Sequence, residues 1–336
     1  MLRYTDFTMA RDGFAGHMAE PPGAQTACAV LVMMGGEKSI LPGIKIAERL
    51  TDFGMTGLAV SLFGAPGLPT GADRIPLEMA VCAVRYLRET RGFQSVSVYG
   101  MSMGAIFAAL TARYAGGVDA LVLCSPAHAA FEGTADKKRM SGHSVVTWQG
   151  RELPFVRPDF SAGGMMRYHS DPAAGRPVTR MWTAYHEAYR DKAAEQKAAL
   201  HLEKSNARIL LAAAETDEVW PSAYSAMYLR DGLRACGCQT PYKLLLYPGA
   251  SHLLGIMPSR EKNKALYRAL PMIGLLYRSF AVNRQACLQA LEQSEGEIVR
   301  WLRGEGGRQC HEHKEPPPAG SVRHGARRRG QSRCPA

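Results

Sequence analysis

Gly100-Met101-Ser102-Met103-Gly104 has the form G-x-S-x-G. A serine hydroxyl is a poor nucleophile unless a base takes its proton, so the pentapeptide gains meaning from its setting. It follows the apolar run Ser95 to Tyr99 (SVSVY) directly and leads into the helical run Ala105 to Tyr114. Strand, sharp turn and helix in that order describe a nucleophile elbow, in which the serine hydroxyl is lifted to the top of a sheet. Gly100 and Gly104 answer to a turn with no space for side chains. The bland alternative is a Gly-rich turn carrying an idle serine.

A base and an orienting acid should follow in the order Ser, acid, His, each just past a strand. His252 comes after the apolar run Tyr242 to Tyr247, in Pro248-Gly249-Ala250-Ser251-His252. Asp217 comes one turn after RILLAAAE, in Glu215-Thr216-Asp217-Glu218, and is the expected acid; Glu215 and Glu218 are carboxylates at the same strand end. Negative charge growing on a substrate oxygen needs preorganised N–H donors. One should be Met103, directly after the serine. The other should come from the loop Gly35-Gly36-Glu37-Lys38, with Gly36 or Glu37 as the donor.

These residues need a scaffold, and the hydropathy pattern supplies one. Ala27 to Met34, Leu58 to Phe63, Ser95 to Tyr99 and Ala120 to Cys124 are continuous apolar runs, as parallel strands covered on both faces require. Helical stretches lie between them, one opened by Pro42 and ending near Gly54, another opened by Pro76 and running to Gly92. The expected fold is α/β of the α/β-hydrolase kind, a mostly parallel central sheet with helices on both faces. From Phe131 to Ser205 the chain turns polar, Gly/Pro-rich and aromatic, with one helix at about Thr179 to Leu200. We read this stretch as a cap inserted over the carboxyl edge of the sheet, where α/β ligands bind. The strand and helix pattern then resumes and closes with an amphipathic helix at about Asn283 to Leu302. The expected organisation is an N-terminal extension (1–24), a catalytic domain (25–303) with its cap (131–205), and a disordered basic tail (304–336).

The 336 residues are 46% hydrophobic and 21% charged, which excludes collagen-like, coiled-coil and wholly disordered classes. Net charge is +11, but from Glu305 onward seven Lys or Arg stand against three Glu, so +4 sits in the tail. The remaining +7 is scattered too thinly to argue for nucleic acid, though it suits an acidic small substrate. No apolar run reaches the roughly 18 to 20 residues of a membrane span, and Arg3, Asp6, Arg11 and Asp12 stand where a signal peptide would be apolar. The expectation is a soluble, cytoplasmic protein. Cys28, Cys82 and Cys124 fall in apolar stretches and read as small hydrophobes rather than disulfide partners. Cys310-His311-Glu312-His313 lacks a second spaced pair, so no metal site is expected.

Several segments together resemble one family: GGEKS, Arg74-Ile-Pro-Leu-Glu78, GMSMGA, Trp148-Gln-Gly-Arg-Glu-Leu-Pro154, Asp217-Glu-Val-Trp-Pro-Ser222 and Tyr247-Pro-Gly-Ala-Ser-His-Leu253. They are similar to the catalytic domain of the acyl-CoA thioesterase and bile acid-CoA:amino acid N-acyltransferase family, over about residues 25 to 303. The W-x-G-x-x-L-P, D-x-x-W-P-S and Y-P-G-x-x-H strings are more specific than G-x-S-x-G, which all α/β-hydrolases share. By position the resemblance implies Ser102, Asp217 and His252 as the triad. The family elbow commonly has Lys after the nucleophile, whereas Met103 makes this site mouth more apolar.

The function expected is acyl-enzyme hydrolysis of an acyl-CoA thioester, with no cofactor. Met101, Trp148 and Trp220 are expected to line the acyl pocket. Within the enzyme class the alternatives are a carboxylesterase or dienelactone-type hydrolase on oxygen esters, and N-acyl transfer to an amino acid. Outside it stands a ligand-binding protein on a hydrolase scaffold.

Overall fold

The computed structural model describes residues 1–305, apart from 24–26, 137–138, 161–163, 265–267, 269–271 and 276. The continuous apolar runs become the middle of an eight-stranded sheet. In chain order its strands are β1 (Arg3–Phe7), β2 (Gly16–Glu20), β3 (Cys28–Met33), β4 (Thr56–Val60), β5 (Ser95–Met101), β6 (Ala120–Cys124), β7 (Arg208–Ala214) and β8 (Tyr242–Tyr247). Side by side they run β1-β2-β4-β3-β5-β6-β7-β8, parallel from β4 onward.

After a single turn at Met9–Asp12, the helices are α1 (Leu41–Asp52), α2 (Glu78–Arg85), α3 (Met103–Tyr114), α4 (Arg180–Ala188), α5 (Lys192–Ala198), α6 (Ser222–Ala235), α7 (Arg278–Val282) and α8 (Arg284–Leu302). Successive strand residues point to opposite faces. Val30, Val32, Val122 and Leu210 therefore pack with Ile46 and Leu50 of α1 and Ile298 and Trp301 of α8. Leu31, Val98, Leu121 and Leu211 pack on the other side with Val84 of α2, Phe107 of α3 and Leu229 of α6. Two apolar layers on one sheet explain why the central strands read as unbroken apolar runs.

The boundary expected at residue 25 is corrected by the sheet. β1 and β2 form an antiparallel pair, and β2 continues antiparallel onto β4, so residues 3–20 belong to the folded domain. Gly16 makes that pairing possible: a Cβ there would fall 2.7 Å from the Ala59 carbonyl oxygen.

The helix expected to open at Pro76 starts at Glu78, because Ile75–Pro76 is drawn into a short parallel pairing with Val146–Thr147. It continues to Gly92 through a wider turn at Tyr86–Thr90. The segment read as a cap, residues 131–205, runs between β6 and β7. Its single helix is two, α4 and α5, because Asp191 restarts the helix by accepting the Ala194 N–H at 3.0 Å. The polar stretch before them folds into hairpins, Glu132–Asp136 with Arg139–Ser144 and Tyr168–Asp171 with Arg176–Thr179. Among the described residues no helix is long and apolar enough to cross a membrane. The basic tail from 306 and the Cys310 to His313 segment lie outside the described residues.

Candidate active site

Ser102 stands between β5 and α3 with φ 58° and ψ −128°. A non-glycine residue at positive φ is strained and persists only where its surroundings over-determine it. The determinants are visible. The Ser102 N–H donates to the Cys124 carbonyl at 3.0 Å, and its own carbonyl accepts the Ala105 N–H at 3.0 Å. A Cβ on Gly104 would fall far inside van der Waals contact of the Met33 and Met34 carbonyl oxygens, and one on Gly100 would meet Gly104 O at 2.6 Å. The two glycines let α3 and β3 close on the turn, which holds the serine out at the sheet edge.

His252 follows β8, and its Nε2 lies 2.9 Å from Ser102 Oγ. Its Nδ1 lies 2.8 Å from Asp217 Oδ2, after β7. The other Asp217 oxygen accepts the N–H groups of Val219 (2.9 Å) and Trp220 (3.3 Å), so the turn itself aims the carboxylate. Of the three carboxylates at this strand end, Glu215 is exposed and Asp217 reaches the imidazole. Glu218 turns away onto backbone groups, accepting the His252 N–H at 3.3 Å and the Ser279 N–H at 3.2 Å.

The electrostatics follow from burial. Burial alone would push the His252 pKa down, but the Asp217 carboxylate outweighs it by charge and hydrogen bond, with smaller contributions from Glu218 and Glu37. The net shift is upward. Glu218 is pushed up to about 7, first by burial and then by the charge of Asp217.

The imidazole is packed on two sides. Trp220 stands edge-on to it at 5.2 Å and 86°, its Nε1 donating to the Ser125 carbonyl at 3.0 Å. Tyr277 lies nearly parallel at 6.3 Å and 14°. The Ser125 hydroxyl donates to the His252 carbonyl at 2.6 Å. Tyr185 and Phe131 extend the aromatic packing from Trp220 into the cap, with Phe160 on Tyr185.

Met103 is the first residue of α3, where N–H groups have no partner within the helix. Gly35, rather than either expected loop residue, is packed against the serine: a Cβ there would lie 3.2 Å from both Ser102 Oγ and Glu37 Oε2. Gly36 faces open space, and Glu37 is exposed with its carboxylate folded back over Gly35. Met101 is half-buried at the end of β5, against the α1/α8 layer.

Trp148 is a correction. It stacks on Tyr114 at 4.9 Å, at the far end of a twelve-residue helix that begins beside Ser102. At about 1.5 Å per residue that places it some 15 Å or more from the serine. The cause is the pairing of Val146–Thr147 with Ile75–Pro76, which draws this part of the insertion down the side of the domain.

Several neighbours of the site escaped the sequence reading. Arg176, whose guanidinium donates to the Asp217 carbonyl, and Tyr277 carry no motif, and Glu218 reads only as a second carboxylate beside Asp217. Among the described residues no group of three or more His, Cys, Asp or Glu is arranged to hold a metal ion.

Residues 75–259 match the sequence profile of the family described as "BAAT / Acyl-CoA thioester hydrolase C terminal". No curated protein matches the chain. Among solved structures it is similar to a lipase in its open form, with 16% identity and a TM-score of 0.50 over 92% of this chain and 100% of that one. It is also similar to a dienelactone hydrolase from Anabaena variabilis, with 16% identity and a TM-score of 0.41 over 75% of this chain and 88% of that one. An eight-stranded, mostly parallel sheet covered on both faces, with a matched segment spanning more than half of the sequence, leads to one conclusion: this chain is an α/β-hydrolase of the BAAT / acyl-CoA thioester hydrolase C-terminal family.

Proposed function

We propose that the protein is a serine hydrolase that works through an acyl-enzyme, with acyl-CoA thioesters as its substrates. The observation that carries this reading is the connected line from Ser102 Oγ to His252 Nε2 (2.9 Å) and from His252 Nδ1 to Asp217 Oδ2 (2.8 Å), beginning at a strained elbow serine. Ser102 Oγ attacks the thioester carbonyl carbon while His252 takes the hydroxyl proton, and Asp217 holds the imidazole tautomer and the charge that forms. The oxyanion is met by the Met103 N–H and a donor from the Gly36–Glu37 loop. The carbon–sulfur bond then breaks and His252 returns its proton to the leaving thiolate. Water, deprotonated by the same imidazole, attacks the acyl-enzyme; the bond to Ser102 Oγ breaks, Oγ recovers the proton and the fatty acid leaves. None of these steps calls on a metal or an organic cofactor.

Family membership supports the thioester, and the aromatic packing from Trp220 through Tyr185 to Phe160 supports an apolar acyl chain. The test is a panel of acyl-CoA thioesters against matched p-nitrophenyl esters, read as free thiol and phenolate. Higher kcat/KM on the thioesters supports the proposal. Preference for the oxygen esters assigns a carboxylesterase instead, and binding without turnover on either assigns a ligand-binding protein.

A further inference from the structure

Glu218 sits next to the candidate acid yet lies outside the proton path from Ser102. It is only 1% exposed. Its Oε2 accepts the His252 N–H, its Oε1 accepts the Ser279 N–H, and its main-chain oxygen accepts both the N–H (3.0 Å) and the hydroxyl (2.7 Å) of Thr179. One residue thus joins the loop carrying the imidazole, the segment whose Tyr277 lies parallel to it, and the last strand of a cap hairpin. Burying a carboxylate is costly, and its partners here are backbone donors rather than a paired cation. Resting on the reading of Ser102, His252 and Asp217 as the reacting set, we propose that Glu218 is a positioning residue for His252: its carboxylate locks the imidazole loop to the Tyr277–Ser279 segment, and turnover requires that lock.

The lock depends on the charge. A proton on either oxygen needs an acceptor, and each oxygen already faces an N–H, so protonation weakens one of the two ties. The groups around the carboxyl are Asp217 beside it, His252 from the loop after β8, Arg176 and Tyr168 from the cap hairpin, Tyr277 ahead of α7, and Cys287 from α8. Burial and then the anionic neighbour Asp217 raise the Glu218 titration to about 7, and the charge of Glu218 in turn helps to raise that of His252. The two ionisations then belong to the pair rather than to either residue.

The experiment is the rate of Ser102 labelling by a fluorophosphonate across about pH 5 to 9, with kcat and KM on a thioester, for wild type and Glu218→Gln. Gln keeps the size but sets an NH₂ against one of the two N–H donors. The wild-type acid limb should be steeper than one proton. E218Q should label about tenfold more slowly at alkaline pH and lose kcat about equally, with KM within about twofold. Its limb should follow one proton and lie at lower pH, because the Glu218 charge helps hold the imidazolium. A folded E218Q with wild-type rate and limb overturns the proposal. So does a slowed variant whose limb is unmoved, which would make the role purely structural. Should E218Q fail to fold, the wild-type limb decides alone, and a one-proton limb overturns the proposal. A wild type that is never labelled at Ser102 sinks the underlying assignment of the nucleophile, and this proposal with it.

Discussion

The guanidinium of Arg176 donates to the main-chain oxygen of Asp217 at 2.6 Å, so a strand of the cap holds the turn that aims the candidate acid. Arg176 is half-buried, and burial outweighs its acidic neighbours to lower its pKa. A hydrogen bond from a charged group contributes about 1.5–3 kcal/mol. Arg176→Met should therefore cost about 1–3 kcal/mol in denaturant unfolding and lower kcat severalfold with a small change in KM. A variant equal to wild type in both would separate the cap from the acid.

Gly35→Ala tests how closely the loop after β3 is fitted to the serine. The new Cβ would lie 3.0 Å from Ser102 Cβ and 3.2 Å from Ser102 Oγ, close enough to turn the hydroxyl away from the imidazole without a backbone clash. A displacement of about 1 Å at a reacting atom can cost about 10²-fold. Labelling of Ser102 should slow by about that factor while the melting temperature changes by a few degrees at most.

The pH dependence of activity and of stability should run in opposite directions. Only neutral His252 can accept the serine proton, and its raised pKa places the acid limb of kcat/KM above the ordinary histidine value of about 6.5. For stability, a group whose folded pKa is raised contributes most below its unfolded pKa, and that contribution is lost as pH rises through the folded value. Glu218, raised from 4.5 to about 7, gives up about 3 kcal/mol across that interval at about 1.4 kcal/mol per unit. His252 adds to the loss in the same direction. Wild type should melt lower at about pH 8 than at about pH 5, and in Glu218→Gln the difference should shrink; an undiminished difference would assign the titration to other groups.

Trp148 and Phe160 should differ in kind. Trp148→Ala empties the stack on Tyr114 and should lower stability by about 2 kcal/mol, leaving the ratio of kcat/KM for long and short acyl-CoAs unchanged. Phe160→Ala, at the end of the aromatic packing that leads to His252, should change that ratio. The reverse outcome would return Trp148 to the pocket.

Much of this architecture was legible because central strands and an elbow have strong local signatures. The runs CAVLVM and ALVLC can hardly be anything but doubly covered strands, and Gly100 and Gly104 are needed wherever two backbones close on a turn. β1 and β2 were illegible for the opposite reason: RYTDF, the edge strand, and GHMAE, beside it, are short and partly polar, and their place in the sheet depends on β4, far along the chain. The hairpin from Glu132 to Ser144 has no clean alternation, so its registry shows only in three dimensions. Glu215, Asp217 and Glu218 are one residue type in effect, and what separates them is the direction in which the turn points each side chain. Trp148 misled because an aromatic in an insertion looks the same whether it lines a pocket or caps a helix end.

The central claim is an acyl-enzyme on Ser102. Rapid mixing of the protein with an acyl-CoA, followed by intact-mass and peptide mass spectrometry, tests it most directly. A burst of free thiol close to one per active site, with the acyl mass on the peptide carrying Ser102 and neither signal in Ser102→Ala, is the predicted result. Turnover that persists in Ser102→Ala, or an acyl adduct on any other residue, would contradict it.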